Sequence, residues 1–208
     1  MIMKKSNKYI LGIIITAIAF YNSIYIKSLE EKLAEGTVIE FDAKSYVDGI
    51  WTLNLLPTFS TATNLNNFLN QLKQNPTATF EKESKSLGIG NIGYFKVKGE
   101  GTVLQVNENN VIIQSEDLKV EIETEFIFGN VIRDASGLFK INDYKETSDF
   151  NSISESINGR IRNDIIPSFK NKVQKGDVVT FSGAIELNKV HLDLNNLEII
   201  PITLEIKN

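Results

Sequence analysis

The feature that most constrains the fold is a long amphipathic helix predicted between two groups of strands. Ser148 or Asp149 can cap its start, Pro167 is expected to kink it, and Gly176 follows its end. Apolar side chains recur every four residues from residue 151 onward, a spacing that keeps them on one helix face: Ile153, Ile157, Ile161, Ile165, Phe169 and Val173. A stripe of this length needs a sheet or barrel to cover it.

Strands are predicted on both sides of this helix, from alternating apolar residues bounded by turn-forming ones. They cover residues 94–106, 111–113, 120–124, 178–187 and 197–206. Gly99 and Gly101 are candidate bulges or bends in the first strand, and Pro201 predicts an edge or a bulge in the last. Residues 126–132 can extend the sheet, and residues 138–141 can add a short strand.

The order of these elements predicts the fold class. Three strands, one helix and two strands is the order of the five-stranded OB barrel, whose helix lies between its third and fourth strands. We therefore predict an α+β chain with an OB-like antiparallel barrel at residues 93–208. A small helical subdomain at residues 41–92 precedes it, with helix starts at Asp42, Asn64 and Pro76. An open α+β sheet is the alternative.

The N-terminal residues 1–27 predict a membrane anchor. Lysines within the first eight residues precede an uncharged run from Tyr9 to Ile26, which is long enough to span a thinned bilayer as a helix. The basic flank favours a cytoplasmic N-terminus. We therefore expect a single-pass inner-membrane protein with a juxtamembrane linker at residues 28–40 and its C-terminal domain in the periplasm. A signal peptide cleaved after Ala17-Ile18-Ala19 is the alternative.

Composition excludes several kinds of chemistry. The sequence contains no cysteine, so it has no disulfide, no thiolate metal site, no thiol nucleophile and no cysteine to carry a lipid. The single histidine, His191, cannot build a common zinc site. The formal net charge of −4 argues against a nucleic-acid partner, because such binding depends on neutralising phosphates. We expect no metal, no cofactor and no identifiable catalytic residue.

Three charged residues are the candidate ligand-binding residues. Arg133 and Asp134 follow the apolar run 126–132, and a buried arginine–aspartate pair can orient an anionic or sugar-like ligand. A structural ion pair is the interpretation that we prefer for them. Glu100, between two glycines, is the third candidate. If the protein is a hydrolase, Asp134 and Glu100 are its carboxylates, provided that a cleft holds them roughly 5–10 Å apart.

Several segments together are similar to a known family. They are Phe41–Val47, Ile50-Trp51, Leu56-Pro57, Tyr94–Gly101, Val131–Ala135, Asp149–Asn151, Ile157-Asn158 and Phe181–Ala184. Over roughly residues 40 to 206, and in this order, they resemble the bacterial family of predicted periplasmic lipoproteins called domain of unknown function 2291. Many members look lipid-anchored through a cysteine. This chain has none, which leaves the N-terminal helix as the expected anchor.

The resemblance implies an envelope protein without an established activity. Genes of this family often lie near genes of sugar-import ABC transporters, which is an association and assigns no residue a role. The implied partners are therefore the membrane, an ABC transporter component or a carbohydrate. We expect a membrane-tethered extracytoplasmic accessory module that binds a small solute or a partner, linked to sugar import. An envelope hydrolase that uses carboxylates is the alternative.

Overall fold

The computed structural model describes residues 12–18, 20–21, 41–86 and 90–207. Contacts within the chain divide it into two compact units, Met1–Phe41 and Asp42–Asn208. In the first unit, residues 12–18 and 20–21 are helical. The part of the chain that the structure describes holds no helix long and apolar enough to cross a bilayer. Most of the predicted anchor and linker, residues 1–40, lies outside the described residues.

The second unit opens with short helices. They are α1 (Ala43–Ile50), a π-helical turn (Trp51–Leu55), α2 (Leu56–Ser60), α3 (Leu65–Gln74) and α4 (Pro76–Glu83). Their predicted starts are confirmed by the caps. The side chain of Asp42 accepts the N–H of Ser45, and that of Asn64 accepts the N–H groups of Asn66 and Asn67.

The strands form an OB barrel, as the element order predicts. They are β1 (Thr63–Asn64), β2 (Ile92–Val106), β3 (Asn110–Ser115), β4 (Leu118–Glu123), β5 (Val178–Asn188) and β6 (Glu198–Ile206). Their order in the sheet is β1-β2-β3-β4-β6-β5, and a further pairing of β2 with β5 closes the barrel. The β4–β6 pairing is parallel, and β1 adds a short parallel strand to β2.

Glycine and proline mark close approaches and bulges in this barrel. The register of β2 against β3 shifts between Val103 and Gln105, so the bulge lies beyond the predicted glycines. A Cβ atom at Gly101 would lie 2.7 Å from the carbonyl oxygen of Gln114, so glycine is needed there for close backbone packing. The bulge predicted at Pro201 is confirmed, because the register of β5 against β6 shifts where Gly183 faces Pro201.

The chain between β4 and the long helix differs from the prediction. Residues 126–132 do not extend the sheet, and residues 138–141 do not form a strand. The segment instead contains α5 (Val131–Ser136) and a 3₁₀ turn (Ile141–Asp143). The physical reason lies at the end of β4. The N–H of Thr124 still reaches the carbonyl oxygen of Asn109, but the carboxylate of Glu123 accepts those of Glu125 and Phe126, which a continuing strand would give to its neighbour.

The long helix lies between β4 and β5 in three sections: α6 (Thr147–Arg160), a π-helical turn (Ile161–Ile165) and α7 (Ile166–Lys170). It begins after Glu146 with no side-chain hydrogen bond at the cap, so the predicted cap at Ser148 or Asp149 is wrong. The π turn contains one more residue than an α turn. It therefore moves the buried position from Ile165, which is half-buried, to Ile166.

Both π turns come directly before a proline. The N–H of Leu56 bonds to the carbonyl of Trp51, and the N–H of Ile166 bonds to that of Ile161, each five residues back. Pro57 and Pro167 follow at the next position. Proline has no N–H, and its ring crowds the preceding turn, so a widened turn accommodates it within a continuing helix. This is how the structure absorbs the irregularity predicted at Pro167.

Helices and barrel share one hydrophobic core. The ring of Phe95 on β2 lies 4.9 Å, centroid to centroid, from both Phe68 on α3 and Phe80 on α4. All three belong to the main buried cluster of the described residues. Packing of these rings attaches the helices to the barrel wall. The boundary predicted between residues 92 and 93 stays a prediction.

We expect Ile161→Asp to unfold the second unit. Ile161 is 0 % exposed, and the π turn that contains it packs against β6. An unpaired carboxylate there should cost roughly 3–5 kcal/mol of unfolding free energy. Thermal unfolding followed by circular dichroism measures the loss. Asn163→Asp, an exposed change on the same turn, is the control. An unchanged melting temperature for Ile161→Asp would contradict the packing of this helix.

Candidate functional site

The predicted Arg133–Asp134 pair lies on α5, and both side chains are buried. The Arg133 Nε atom is 2.7 Å from Asp134 Oδ1. The guanidinium also donates to the carbonyl oxygen of Phe150 at 3.1 Å and lies 3.7 Å above the centre of its ring. Arg133 therefore joins α5 to α6 by an ion pair, a hydrogen bond and a cation–π contact.

The pair continues into a polar network toward the barrel wall. Asn130 donates one side-chain hydrogen bond to Asp134 and a second to the hydroxyl of Tyr94, at 3.1 Å. Burial raises the pKa of Tyr94, and the carboxylates of Glu186 and Asp134 raise it further, whereas the Asn130 hydrogen bond lowers it. Tyr94 and Glu186 are direct cross-strand neighbours on β2 and β5. The network thus runs from α5 to the outer face of the barrel.

Glu100 does not join this network. It is exposed, and its carboxylate accepts a hydrogen bond from Lys207 Nζ at 2.8 Å. It lies on the edge of a separate groove of about 680 Å³ beside the start of α3. Glu100 is six residues from Tyr94 along β2, which corresponds to about 20 Å. The structure therefore brings Arg133 and Asp134 together and places Glu100 elsewhere.

A different groove gathers polar and aromatic side chains beside the network. It has a volume of about 390 Å³ and lies between the segment that joins β4 to α5 and the loop that joins β5 to β6. We call it the loop groove, and its chemistry comes from six residues: Phe126, Phe128, Glu186, Asn188, Asp193 and Glu198. The phenylalanines are 60 % and 58 % exposed, which is unusual for rings of this size.

The aromatic side of the loop groove is held from α6. Asn158 donates to the carbonyl oxygen of Gly129 at 2.8 Å. Arg162 donates to the carbonyl oxygen of Ile127, and its guanidinium lies 4.7 Å from the centre of the Phe128 ring. Arg162 is itself held by Glu155 at 2.6 Å. The exposed rings are therefore carried by a loop that the long helix fixes at several points.

The other side of the loop groove is acidic. Burial raises the pKa of Glu198, and the charges of Glu123, Glu121 and Glu186 raise it further. A hydrogen bond from the backbone of Asn195 lowers the pKa of Asp193. The lining that the structure describes includes no lysine or arginine. The groove therefore concentrates negative charge, and Glu198 holds its proton at a higher pH than an isolated glutamate does.

Within the described residues, no cluster of histidine and carboxylate side chains has a geometry that could hold a metal ion. His191 is exposed on the β5–β6 loop, where its backbone N–H bonds to the side chain of Asn188. His191 also lines the loop groove. The side chains that line the loop groove can offer hydrogen bonds, negative charge and aromatic faces to a ligand.

Sequence reasoning missed the loop groove. The apolar run 126–132 can extend the sheet, and in such a strand Phe126 and Phe128 would share one face. Glu186 and Glu198 lie on either side of the β5–β6 loop, and no local sequence pattern specifies the course of that loop. One signal was present: Gly129 directly follows Phe128, and glycine often marks a turn or loop.

We predict that Arg133→Ala destabilises the protein by about 3 kcal/mol, because it leaves the buried carboxylate of Asp134 without its cation. Chemical denaturation measures the change. Arg160→Ala is the control, since Arg160 is partly exposed in its ion pair with Asp48 and should cost less. Equal, small effects of both substitutions would contradict a structural role for the Arg133–Asp134 pair.

Comparison with known proteins agrees with the fold. A crystal structure of an OB-fold protein from Thermotoga maritima is similar to this chain with a TM-score of 0.71 and 27 % sequence identity. The similarity covers 80 % of this chain and 99 % of that one. No curated protein matches the sequence. The chain therefore shares the OB fold with a solved structure whose description states no activity.

The family resemblance is also confirmed. The sequence pattern of a family described as predicted periplasmic lipoprotein matches residues 14–205, which is most of the chain. This description supports a location in the cell envelope. The 208 residues contain no cysteine, so they offer no site for the lipid that the family description implies. With this difference, the chain belongs to the family of predicted periplasmic lipoproteins called domain of unknown function 2291.

Proposed function

We propose that this chain is an envelope accessory protein whose barrel binds a small, hydroxyl-rich solute of the carbohydrate class in the loop groove. One observation carries the proposal: Phe126 and Phe128 expose their rings in the same groove that holds carboxylate and amide side chains. Pockets for small ligands combine apolar surface with a few polar groups that fix orientation. The loop groove has both the apolar surface and the polar groups.

The chemistry of a sugar suits both sides of the groove. A sugar ring presents C–H groups on its faces, which pack against aromatic rings. Its hydroxyls point outward and donate to carboxylates such as Glu186 and Asp193. The volume of about 390 Å³ is within the range of small-ligand pockets, about 300–1,000 Å³. The loop between β5 and β6 corresponds to one of the two loops that carry ligands in OB folds.

Charge narrows the ligand class. Glu186, Asp193 and Glu198 line the groove, and the described lining has no lysine or arginine to balance them. A phosphorylated or carboxylated solute would be repelled there. A neutral sugar carries no charge and would not be repelled. The same negative charge disfavours binding of nucleic acid, because such binding depends on neutralising phosphates.

Two further parts of the proposal come from the N-terminal sequence and the family. The uncharged run from Tyr9 to Ile26, after a lysine-rich start, supports a single-pass anchor in the inner membrane. The absence of cysteine from the sequence supports a helix over a lipid. A component of a sugar-import ABC transporter is the protein partner that we propose, on the strength of the family's gene neighbourhood and the sugar-like chemistry of the groove.

A second candidate, a hydrolase that uses carboxylates, is favoured by one observation in the same groove. Continuing the pairing of Ala184 with Ile200 by two residues brings Glu186 beside Glu198. The raised pKa of Glu198 suits a general acid next to an ionised carboxylate. Asp134 and Glu100, the carboxylates expected from the sequence, do not form such a pair, because one is buried against Arg133 and the other is bound by Lys207.

We predict that neutral sugars stabilise the full-length protein. Thermal unfolding with D-glucose, D-galactose, D-xylose, D-ribose and N-acetyl-D-glucosamine should identify at least one that raises the melting temperature, since a ligand stabilises the state that it binds. Phe126→Ala and Glu186→Gln should each weaken its binding about tenfold or more in calorimetry. Leu53→Ala and Glu81→Gln, which are exposed changes outside the groove, are the matched controls.

If none of the five sugars binds, or if the controls weaken binding equally, the proposed function is wrong. Analysis of the mixtures by NMR, with the disaccharides maltose and lactose added to the panel, distinguishes the second candidate. Binding without products supports an accessory role. Release of monosaccharides that Glu198→Gln abolishes would support the hydrolase instead.

We also predict the topology. Alkaline phosphatase fused after Asn208 should be active, because this enzyme folds only outside the cytoplasm, where its disulfides form. N-terminal sequencing of the membrane fraction should show that residues 1–19 are retained. A mature N-terminus at Phe20 would contradict the anchor and support a cleaved signal peptide. A fusion with β-galactosidase, which is active only in the cytoplasm, is the matched control.

A further inference from the structure

Glu123 is a buried carboxylate with an unusual set of partners. It ends β4 and is 7 % exposed. Its Oε1 atom accepts hydrogen bonds from the backbone N–H groups of Thr124, Glu125 and Phe126, at 2.9, 2.7 and 2.8 Å. No lysine or arginine of the described residues forms an ion pair with it. A turn of the backbone therefore takes the place of a counter-ion.

These hydrogen bonds determine where the chain goes after β4. A buried carboxylate without partners is costly, and three N–H groups aimed at one oxygen offset that cost. The N–H of Thr124 also donates to the carbonyl oxygen of Asn109, at 2.9 Å, whereas those of Glu125 and Phe126 are lost to any continuation of the strand. The chain therefore leaves the sheet after Thr124, and the Phe126 ring is 60 % exposed in the loop groove.

We propose that Glu123 is the positioning residue of the loop groove: its carboxylate holds the turn at residues 124–126 and so presents Phe126 to the ligand. This inference rests on the proposed function, because it gives the exposed ring a purpose. Glu123 is not among the residues that line the groove. It acts on a ligand only through Phe126 and through its charge.

The charge of Glu123 provides an independent readout. Glu198 pairs with Glu121 of β4, and the charges of Glu123 on β4 and Glu186 on β5 also act on its carboxylate; His191 and Asp193 line the same groove from the β5–β6 loop. After burial, Glu123 is the largest cause of the raised pKa of Glu198. Removing this charge should therefore lower the pKa of Glu198. This readout follows the charge of Glu123 separately from the geometry of the turn.

Two variants of the full-length protein distinguish the effect of the position of the Glu123 carboxylate from the effect of its charge. Glu123→Gln removes the charge and weakens the three hydrogen bonds. Glu123→Asp keeps the charge and withdraws the carboxylate by one methylene group. Glu125→Gln removes the charge of an exposed neighbour and is the matched control. Amide hydrogen exchange at residues 124–126 reports the turn, and carboxyl ¹³C NMR titration reports Glu198.

We expect both Glu123 variants to speed exchange at Glu125 and Phe126 at least tenfold, and only Glu123→Gln to lower the pKa of Glu198. Glu125→Gln should change neither the exchange rates nor the pKa of Glu198. If Glu123→Gln fails to fold, Glu123→Asp still tests the turn. Unchanged exchange in a folded Glu123 variant, or equal acceleration by Glu125→Gln, overturns the proposal.

This test is independent of the test of the proposed function, because neither amide exchange nor the titration of Glu198 needs a ligand. Affinity for D-glucose and the other four monosaccharides of the panel is measured on the same variants. Fast exchange with weakened sugar binding supports both proposals. Fast exchange without any sugar binding to the parent protein supports the positioning of Phe126 and rejects the carbohydrate. Fast exchange with full sugar affinity rejects Phe126 as the group through which Glu123 acts.

Discussion

The barrel depends on the pairing of β2 with β5. Residues 92–102 pair with residues 178–188 without a break, while the far end of β2 pairs with β3. One long strand thus has neighbours on both edges, and this closes the sheet and removes its open edges. Since β5 follows the long helix in sequence, closure requires that helix to carry the chain back across the barrel. The main hydrophobic cluster joins buried side chains of these strands to those of the packed helices.

The outer face of the same strand pair supports the candidate site. Helix α5 packs on β2, β5 and β6 and is tied to α6 by Arg133. Its polar network passes through Tyr94 to Glu186 on β5. The long helix in turn holds the segment that carries Phe128, through Asn158 and Arg162. The residues of the groove therefore come from distant parts of the sequence and meet because the barrel is closed.

Local sequence signals predicted the elements that depend on local interactions. Caps at Asp42 and Asn64, the strands before and after the long helix, and the bulge at Pro201 all follow from short-range rules of hydrogen bonding and alternation. The long helix was predicted too, but not its π turn, which moves the buried position from Ile165 to Ile166. Pro167 signals an irregularity in the helix, but it does not specify that the irregularity is a π turn, which adds one residue.

The sequence alone determined the class of this protein: strand order and the spacing of apolar residues specify an OB barrel, and the absence of cysteine excludes thiol chemistry. It also placed Arg133 and Asp134 together, because neighbours in a chain stay neighbours in any fold. Only the tertiary structure decided that this pair is engaged by α6, that Glu100 lies elsewhere, and that Phe126 and Glu198 face one groove. The physical reason is that these contacts join strands and loops far apart in sequence, which only the closure of the barrel brings together.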